Sequence, residues 1–305
     1  MTERRLLSAL TLTELSQQLA SSGVWLRIPP FVMHIQSPIP VVAEGLHALY
    51  AGYEWLDGID CLADFHVAVL PRRRWFKPLC VFEFDGFQPF TPLAYGEAFA
   101  FLEWGMNWCV TSYCHNLLTI HSAVLEKGGH AVILPAPPGS GKSTLCAALM
   151  LHGWRLLSDE MALLDPQTGR VMPSPRPVSL KNQSIEVIRQ RAPSAVMGPV
   201  ARDTMKGTVA HLQVTASSLM QADVPALPAW VIFPKYQKAA ALTVAERPKA
   251  SALVELASNS FNHHVHGRAG FDALANLVDR CACYDLSYGE LDEALAWFDA
   301  LGCPA

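Results

Sequence analysis

HAVILPAPPGSGKSTLCAALMLHGWRLLSDE, residues 130–160, reads as an apolar strand, a glycine-rich loop, a helix and a second buried strand that ends in two acids. Within it, Gly139-Ser140-Gly141-Lys142-Ser143-Thr144 satisfies the pattern G-x-x-x-x-G-K-[ST], except that Ala136 stands where the first glycine is expected. Glycines at 139 and 141 allow the backbone to turn its N–H groups inward and to approach an anion closely. A helix starting near Lys142 adds the positive end of its dipole to the same spot. Such a loop, Pro138 to Thr144, cradles a nucleotide triphosphate, with Lys142 reaching the β- and γ-phosphates and the Ser143 hydroxyl offered to Mg²⁺. The helix is expected to reach about His152, to bury Leu145, Leu149 and Met150, and to end on Gly153 in a left-handed cap. Strand, loop and helix in this order weigh against a chance glycine-rich turn.

Asp159 and Glu160 are the second signal. Consecutive acids on an extended chain point to opposite sides, so one faces the metal or the attacking group while the other braces it. Asp159 lies only seventeen residues beyond Lys142, and no LSGGQ-like segment follows. Both features disfavour a mechanochemical ATPase, in which the acidic strand lies much farther along.

Outward from this stretch, Ile120–Leu125 and Ala131–Leu134 flank Glu126-Lys127-Gly128-Gly129, a hairpin signal that pairs the loop's own strand antiparallel with the one before it. A second hairpin is expected from Met161–Leu164 and Arg170–Met172 around Asp165-Pro166. The sheet is therefore expected to be mixed, because a parallel one would have needed helical crossovers there. Towards the amino terminus, Thr11 and Glu14 form a capping box that opens a helix to about Ala20. Strands are expected at Val24–Ile28, Phe31–Ile35, Phe65–Leu70 and Cys80–Phe84, and helices at Val41–Tyr50 and about Tyr95–His115. We place a soft boundary near residue 90, giving an N-terminal α+β region, residues 1–90, and a nucleotide-binding domain, residues 91–305.

The 305 residues carry a net charge of −4 and are 51% hydrophobic, enough for one large or two ordinary domains and no footprint for nucleic acid. Arg72-Arg73-Arg74 with Lys77 is too short a basic cluster to track phosphates. No apolar run approaches a membrane span or a signal-peptide core, so the expected location is cytoplasmic, without membrane partners. The eight cysteines, at 61, 80, 109, 114, 146, 281, 283 and 303, form no C-x-x-C set and read as free, buried thiols. Cys281-x-Cys283 and the run Cys109, Cys114, His115 read as packing. His263-His264-x-His266 reads as a polar loop bordering the site.

His121, the hairpin, the phosphate loop, the helix and Arg155-Leu-Leu-Ser-Asp159-Glu160 together resemble the nucleotide core of HPr kinase/phosphorylase, where a histidine, the loop and an R-L-x-x-D-D strand follow in that order. Further blocks are similar to those of the bacterial group called HPr kinase-related kinase A: PRPVSLKNQS (175–184), KGTVAHL (206–212), PAWVIFPKY (228–236) and YDLSYGELDEAL (284–295). The resemblance implies an α/β fold with a mixed sheet, of the kind shared with phosphoenolpyruvate carboxykinase. It implies that Asp159 takes the proton from an acceptor hydroxyl, that Glu160 has a supporting or metal-linked role with Ser143, and that His121 lies near the transferred phosphate. ATP and Mg²⁺ are the implied cofactors. No equivalent of the family's E-I-R-G-L-G segment follows the acidic strand, which sets phosphorolysis and HPr itself aside. Arg176, Lys181 and Lys206 are candidates to stabilise phosphoryl oxygens in its place.

The expected activity is thus transfer of the ATP γ-phosphoryl group to a hydroxyl, on a serine of a small protein or peptide. The resemblance also implies a PqqD-like peptide chaperone as a partner and a homo-oligomer. Two other readings stand beside it: a small-molecule kinase, and a non-catalytic ATP-binding regulatory module.

Overall fold

A computed structural model describes residues 5–56, 62–72 and 76–302. Cys61, Cys303, Arg73 and Arg74 lie outside the described residues. The chain first lays down α1 (Leu12–Ala20), β1 (Val24–Ile28), β2 (Phe31–Gln36), α2 (Pro40–Leu49), β3 (Trp55–Leu56), β4 (Phe65–Arg72), β5 (Leu79–Phe84), β6 (Leu93–Ala94) and α3 (Ala98–Tyr113). It continues through β7 (Leu118–Lys127), β8 (His130–Pro135), α4 (Lys142–Leu151), β9 (Arg155–Ser158), β10 (Met161–Leu164) and β11 (Val171–Met172). Next come β12 (Val178–Lys181), α5 (Gln183–Arg191), β13 (Ala201–Thr204), β14 (Gly207–Leu212) and α6 (Ala216–Met220). The chain closes with β15 (Leu227–Tyr236), β16 (Thr243–Glu246), α7 (Lys249–Asn259), α8 (His263–Arg280), β17 (Ala282–Tyr288) and α9 (Leu291–Asp299).

Two compact units result, Met1–Val110 with Ser179–Leu219, and Thr111–Val178 with Met220–Ala305. The division therefore falls at Val110, not near residue 90, and the first unit also takes back a later segment. The cause is α3, a largely apolar helix whose residues from Ala98 to Val110 are mostly buried. Its Phe101 packs on Phe82 of β5 with ring centroids 5.9 Å apart, its Glu103 accepts a 2.6 Å hydrogen bond from the Tyr50 hydroxyl, and its Phe99 meets His211 of β14 edge-on at 5.6 Å.

The first unit holds a six-stranded sheet, ordered β3-β1-β2-β4-β5-β6, and a three-stranded one, β12-β14-β13. Alternation along β1, β2 and β4 puts Leu26, Met33, Ile35 and Val67 in the core. The helix α1 opens on the expected capping box between Thr11 and Glu14.

The second unit holds an eight-stranded sheet in the order β11-β10-β7-β8-β15-β17-β16, with β9 also on β7. The expected hairpin joins β7 and β8 antiparallel through Gly128 and Gly129, and β10 pairs antiparallel with β11 as read. Beyond β8 the sheet turns parallel, β8 to β15 to β17, so it is mixed. Because β8 and β9 each run antiparallel to β7, they are parallel to one another with β7 between them. Leu118, Ile120, Val124, Ile133 and Val231 share a cluster with Leu256 of α7 and Leu274 and Leu277 of α8. Residues of the opposite parity, Ala123, Leu125, Val132 and Leu134, are equally buried, so both faces of these strands are covered. Cys281 and Cys283 belong to this core as thiols, and Cys109 and Cys114 are buried thiols as well, none of the four in a disulfide. Among the described residues, no helix is long and apolar enough to cross a membrane.

Candidate functional site

The phosphate-loop stretch lies wholly in the second unit. Gly139 and Gly141 hold φ of +86° and +89°, the left-handed region that a side chain strains. Their surroundings differ. A Cβ on Gly139 would meet nothing within 4 Å, whereas one on Gly141 would stand 2.8 Å from Tyr236 Cβ and 3.0 Å from the Tyr288 hydroxyl. The Tyr236 N–H also donates to the Ser140 carbonyl at 2.8 Å, fixing the loop to the end of β15. Ser140 Oγ is buried and makes no hydrogen bond among the described residues.

Helix α4 starts at Lys142 with Gly141 as its N-cap and no side-chain cap, which leaves its first N–H groups open to a ligand. It ends as read: the Gly153 N–H donates to the Met150 carbonyl at 3.2 Å and the Trp154 N–H to the Leu149 carbonyl at 3.0 Å, the paired bonds of a Schellman cap. Open space beside Gly139, an uncapped helix start and an orphan hydroxyl at Ser140 are compatible with phosphate oxygens bound there.

Lys142 is buried at 8% exposure, and its Nζ lies 3.2 Å from His121 Nε2. A lysine ammonium can only donate, which makes Nε2 the acceptor in this contact when the lysine is charged. His121 is brought there by β7, where it pairs with Met161 of β10, and its ring meets Phe261 edge-on at 6.0 Å.

The acids occupy a break inside a line of strand. β9 and β10 lie end to end along one edge of β7, with Arg155 opposite Glu126 and Met161 opposite His121. Between them the Ser158 hydroxyl accepts from the N–H groups of Glu160 at 3.3 Å and Met161 at 3.1 Å. The Ser122 N–H donates to the Glu160 carbonyl at 3.3 Å. The strand thus resumes at Met161 instead of ending freely, and the interruption re-aims the two side chains as bulges do. Asp159 turns inward to 3% exposure and Glu160 stays half-buried.

Cys146, one turn beyond Lys142 on α4, is fully buried, and its thiol hydrogen-bonds Asp159. Burial first, and then the Asp159 carboxylate, push this thiol well above its ordinary range, with Lys142 pulling the other way. It therefore stays protonated and donates to Asp159. Lys142, Asp159 and Glu160 each act electrostatically on this one sulfur.

Mg²⁺ keeps several waters and takes one or two protein oxygens besides phosphate oxygens. Half-buried Ser143 and Glu160 carry oxygens of the kind it takes, and among the described residues no cluster of three or more His, Cys, Asp or Glu would hold a metal alone. Arg176 is buried between Pro175 and Pro177 in the same unit, on a segment tied to β9 by the Ser174 N–H to the Leu157 carbonyl at 2.8 Å. Lys181 and Lys206 belong to the first unit. There the Lys181 N–H donates to the Ser184 hydroxyl at 2.7 Å, and the Lys206 ammonium lies 4.7 Å above the Trp104 ring.

His263, His264 and His266 form the first turn of α8, not a loop, and a break at Gly267 separates them from the rest of that helix. The preceding residues are zipped to β7 beside His121: the Phe261 N–H donates to the Thr119 carbonyl, and Asn262 accepts from the Thr119 N–H, both at 2.9 Å. Phe261, Asn262, Ser158, Cys146, Tyr236 and Tyr288 are the site residues that sequence reading passed over. Cys146 alone carried a local signal, its spacing of one helical turn from Lys142. No family model matches the chain, and no curated protein matches it.

Proposed function

We propose that this chain is an ATP- and Mg²⁺-dependent kinase built on a core of the HPr kinase and phosphoenolpyruvate carboxykinase type, transferring the γ-phosphoryl group to a serine hydroxyl of a small protein or peptide. The observation that carries the reading is the convergence on α4. Lys142 touches His121, and Asp159 is buried against Cys146 one turn further along the helix, behind a loop with positive φ at both glycines. The β8–α4–β9 order with an antiparallel strand between β8 and β9 supports the choice of core.

In this reading the loop N–H groups and Lys142 hold the transferred phosphoryl oxygens, and their fixed placement lowers the barrier as charge spreads over them. Mg²⁺, held by Ser143 and Glu160 when bound, neutralises phosphate charge. Asp159 orients the acceptor hydroxyl and takes its proton. The Cys146 thiol and the Ser158-braced backbone keep that carboxylate in one position, and His121 steadies the Lys142 ammonium. Arg176, buried on the segment tied to β9, is the cation this reading adds to them. The acceptor reading brings with it a PqqD-like chaperone for the peptide and assembly into a homo-oligomer.

The test is transfer of labelled phosphate from ATP to proteins encoded alongside this chain, with Lys142→Ala and Asp159→Asn as controls. Each variant is expected to lose about 10²–10³-fold in transfer rate. Label that accumulates in metabolites instead moves the acceptor to a small molecule. ATP binding with no turnover in the unaltered chain or in Asp159→Asn makes it a regulatory module, and unchanged transfer in both variants rejects the site.

A further inference from the structure

The loop accounts for the phosphates and leaves the nucleoside to be placed. β8, β15 and β17 run parallel side by side, so their carboxyl ends form one edge, and the phosphate loop departs from the end of β8. Ligands of such sheets lie in the crevice outside that edge. His121, Asp159 and Glu160 come from β7 and the β9–β10 line, on one side of β8, and the transferring end of a nucleotide belongs with them. The leaving nucleoside then extends to the other side of β8, over the ends of β15 and β17.

Two tyrosines stand there in register, Tyr236 at the end of β15 and Tyr288 at the end of β17. Tyr288 is buried to 1% exposure and meets Tyr236 edge-on, with ring centroids 5.7 Å apart and planes at 62°. Tyr236 is 45% exposed and is fixed at its backbone by the bond to the Ser140 carbonyl. The chain beyond is also held: the Gln237 N–H donates to the Tyr288 carbonyl at 2.9 Å, and the Ser287 hydroxyl to Gln237 Oε1 at 3.3 Å. An exposed aromatic ring, braced from below by a second ring and touching the residue before the loop lysine, is a ready stacking platform. Base–aromatic stacking tolerates any base, because every base has a π-face.

Resting on the nucleotide reading above, we infer that the ring of Tyr236 stacks the base of the bound nucleotide and sets the preference for a nucleoside triphosphate over bare polyphosphate. The experiment measures the dissociation constants of MgATP and of inorganic tripolyphosphate for the unaltered chain, Tyr236→Phe, Tyr236→Leu and Tyr236→Ala, each checked for folding by circular dichroism. Tyr236→Leu keeps apolar bulk against Gly141 should the alanine variant fail to fold. The expected result is MgATP binding weakened roughly tenfold in the leucine and alanine variants and retained in the phenylalanine one, with tripolyphosphate unaffected throughout. MgATP affinity unchanged in the leucine variant overturns the stacking role and leaves the phosphate site standing. Equal losses for MgATP and tripolyphosphate overturn it too, because Tyr236 would then only shape the loop. Neither ligand binding to the unaltered chain rejects the nucleotide reading itself, and this inference with it.

Discussion

Gly139 and Gly141 share a backbone conformation and differ in what lies beside them, which separates two roles that a glycine-rich loop usually merges. An alanine at either position takes on the left-handed strain, about 1–2 kcal/mol. At Gly139 the added methyl enters open space, so Gly139→Ala should fold with only that loss while crowding the space where phosphate oxygens would lie in the proposed nucleotide reading. At Gly141 the methyl would also displace Tyr236 Cβ from 2.8 Å, and an atom next to the backbone cannot swing aside. Gly141→Ala should therefore be clearly less stable than Gly139→Ala in denaturant titrations, while both lose MgATP affinity. Equal stabilities would mean that the loop is not seated on the end of β15.

The β7–β9 pair carries an ion pair deep in the second unit. Arg155 donates through Nε to Glu126 and through Nη1 to the carbonyls of Gln221 and Val224, both at 2.8 Å, while Glu126 also accepts from the Gly129 N–H of the hairpin turn. Both side chains are below 9% exposure, so removing one partner strands a charge away from water. Glu126→Gln should cost about 3–5 kcal/mol, and Glu126→Gln with Arg155→Met distinctly less than the sum of the single changes, a pattern that a double-mutant cycle in denaturant reads directly. Additive losses would mean that the charges are solvated. Elements of this kind also mark where sequence reading succeeds and stops. The hairpins, the capping box and the α4 cap were legible because each is written in adjacent residues, glycines with positive φ or a Thr and Glu three apart. The placement of β15 beside β8, the end-to-end run of β9 and β10, and the packing of Phe261 on His121 were not, because each joins residues far apart in the chain whose pairing no local pattern encodes.

Across the whole molecule the same limit governs the division into units. The return of Ser179–Leu219 to the first unit leaves no linker composition to read, and α3 carries its apolar surface past the boundary near residue 90 that the change of motif suggested. The two units should also differ in how they respond to acid, because the first contains a histidine held neutral by its surroundings. His34 is 9% exposed, stacks on Trp25 at 4.0 Å, and donates through Nε2 to the Ser22 carbonyl at 2.8 Å; its Nδ1 faces His66 Nδ1 at 3.0 Å. Burial lowers its pKa below the ordinary 6.5, the Ser22 carbonyl opposes that shift, and the neighbouring His66 adds to it. The unfolded chain therefore binds this proton at a higher pH than the folded chain does. Stability contributed by neutral His34 is full above about 6.5 and falls as the pH drops through that value towards the lowered one. Denaturation of the first unit, followed by near-ultraviolet circular dichroism and tryptophan fluorescence, should accordingly shift to lower denaturant concentration between pH 7.5 and 5. His34→Gln, which keeps a donor for Ser22 and cannot take up a proton, should flatten that dependence. A midpoint that does not move over this window, or one that moves as far in His34→Gln, would show that the buried imidazole does not set the acid response.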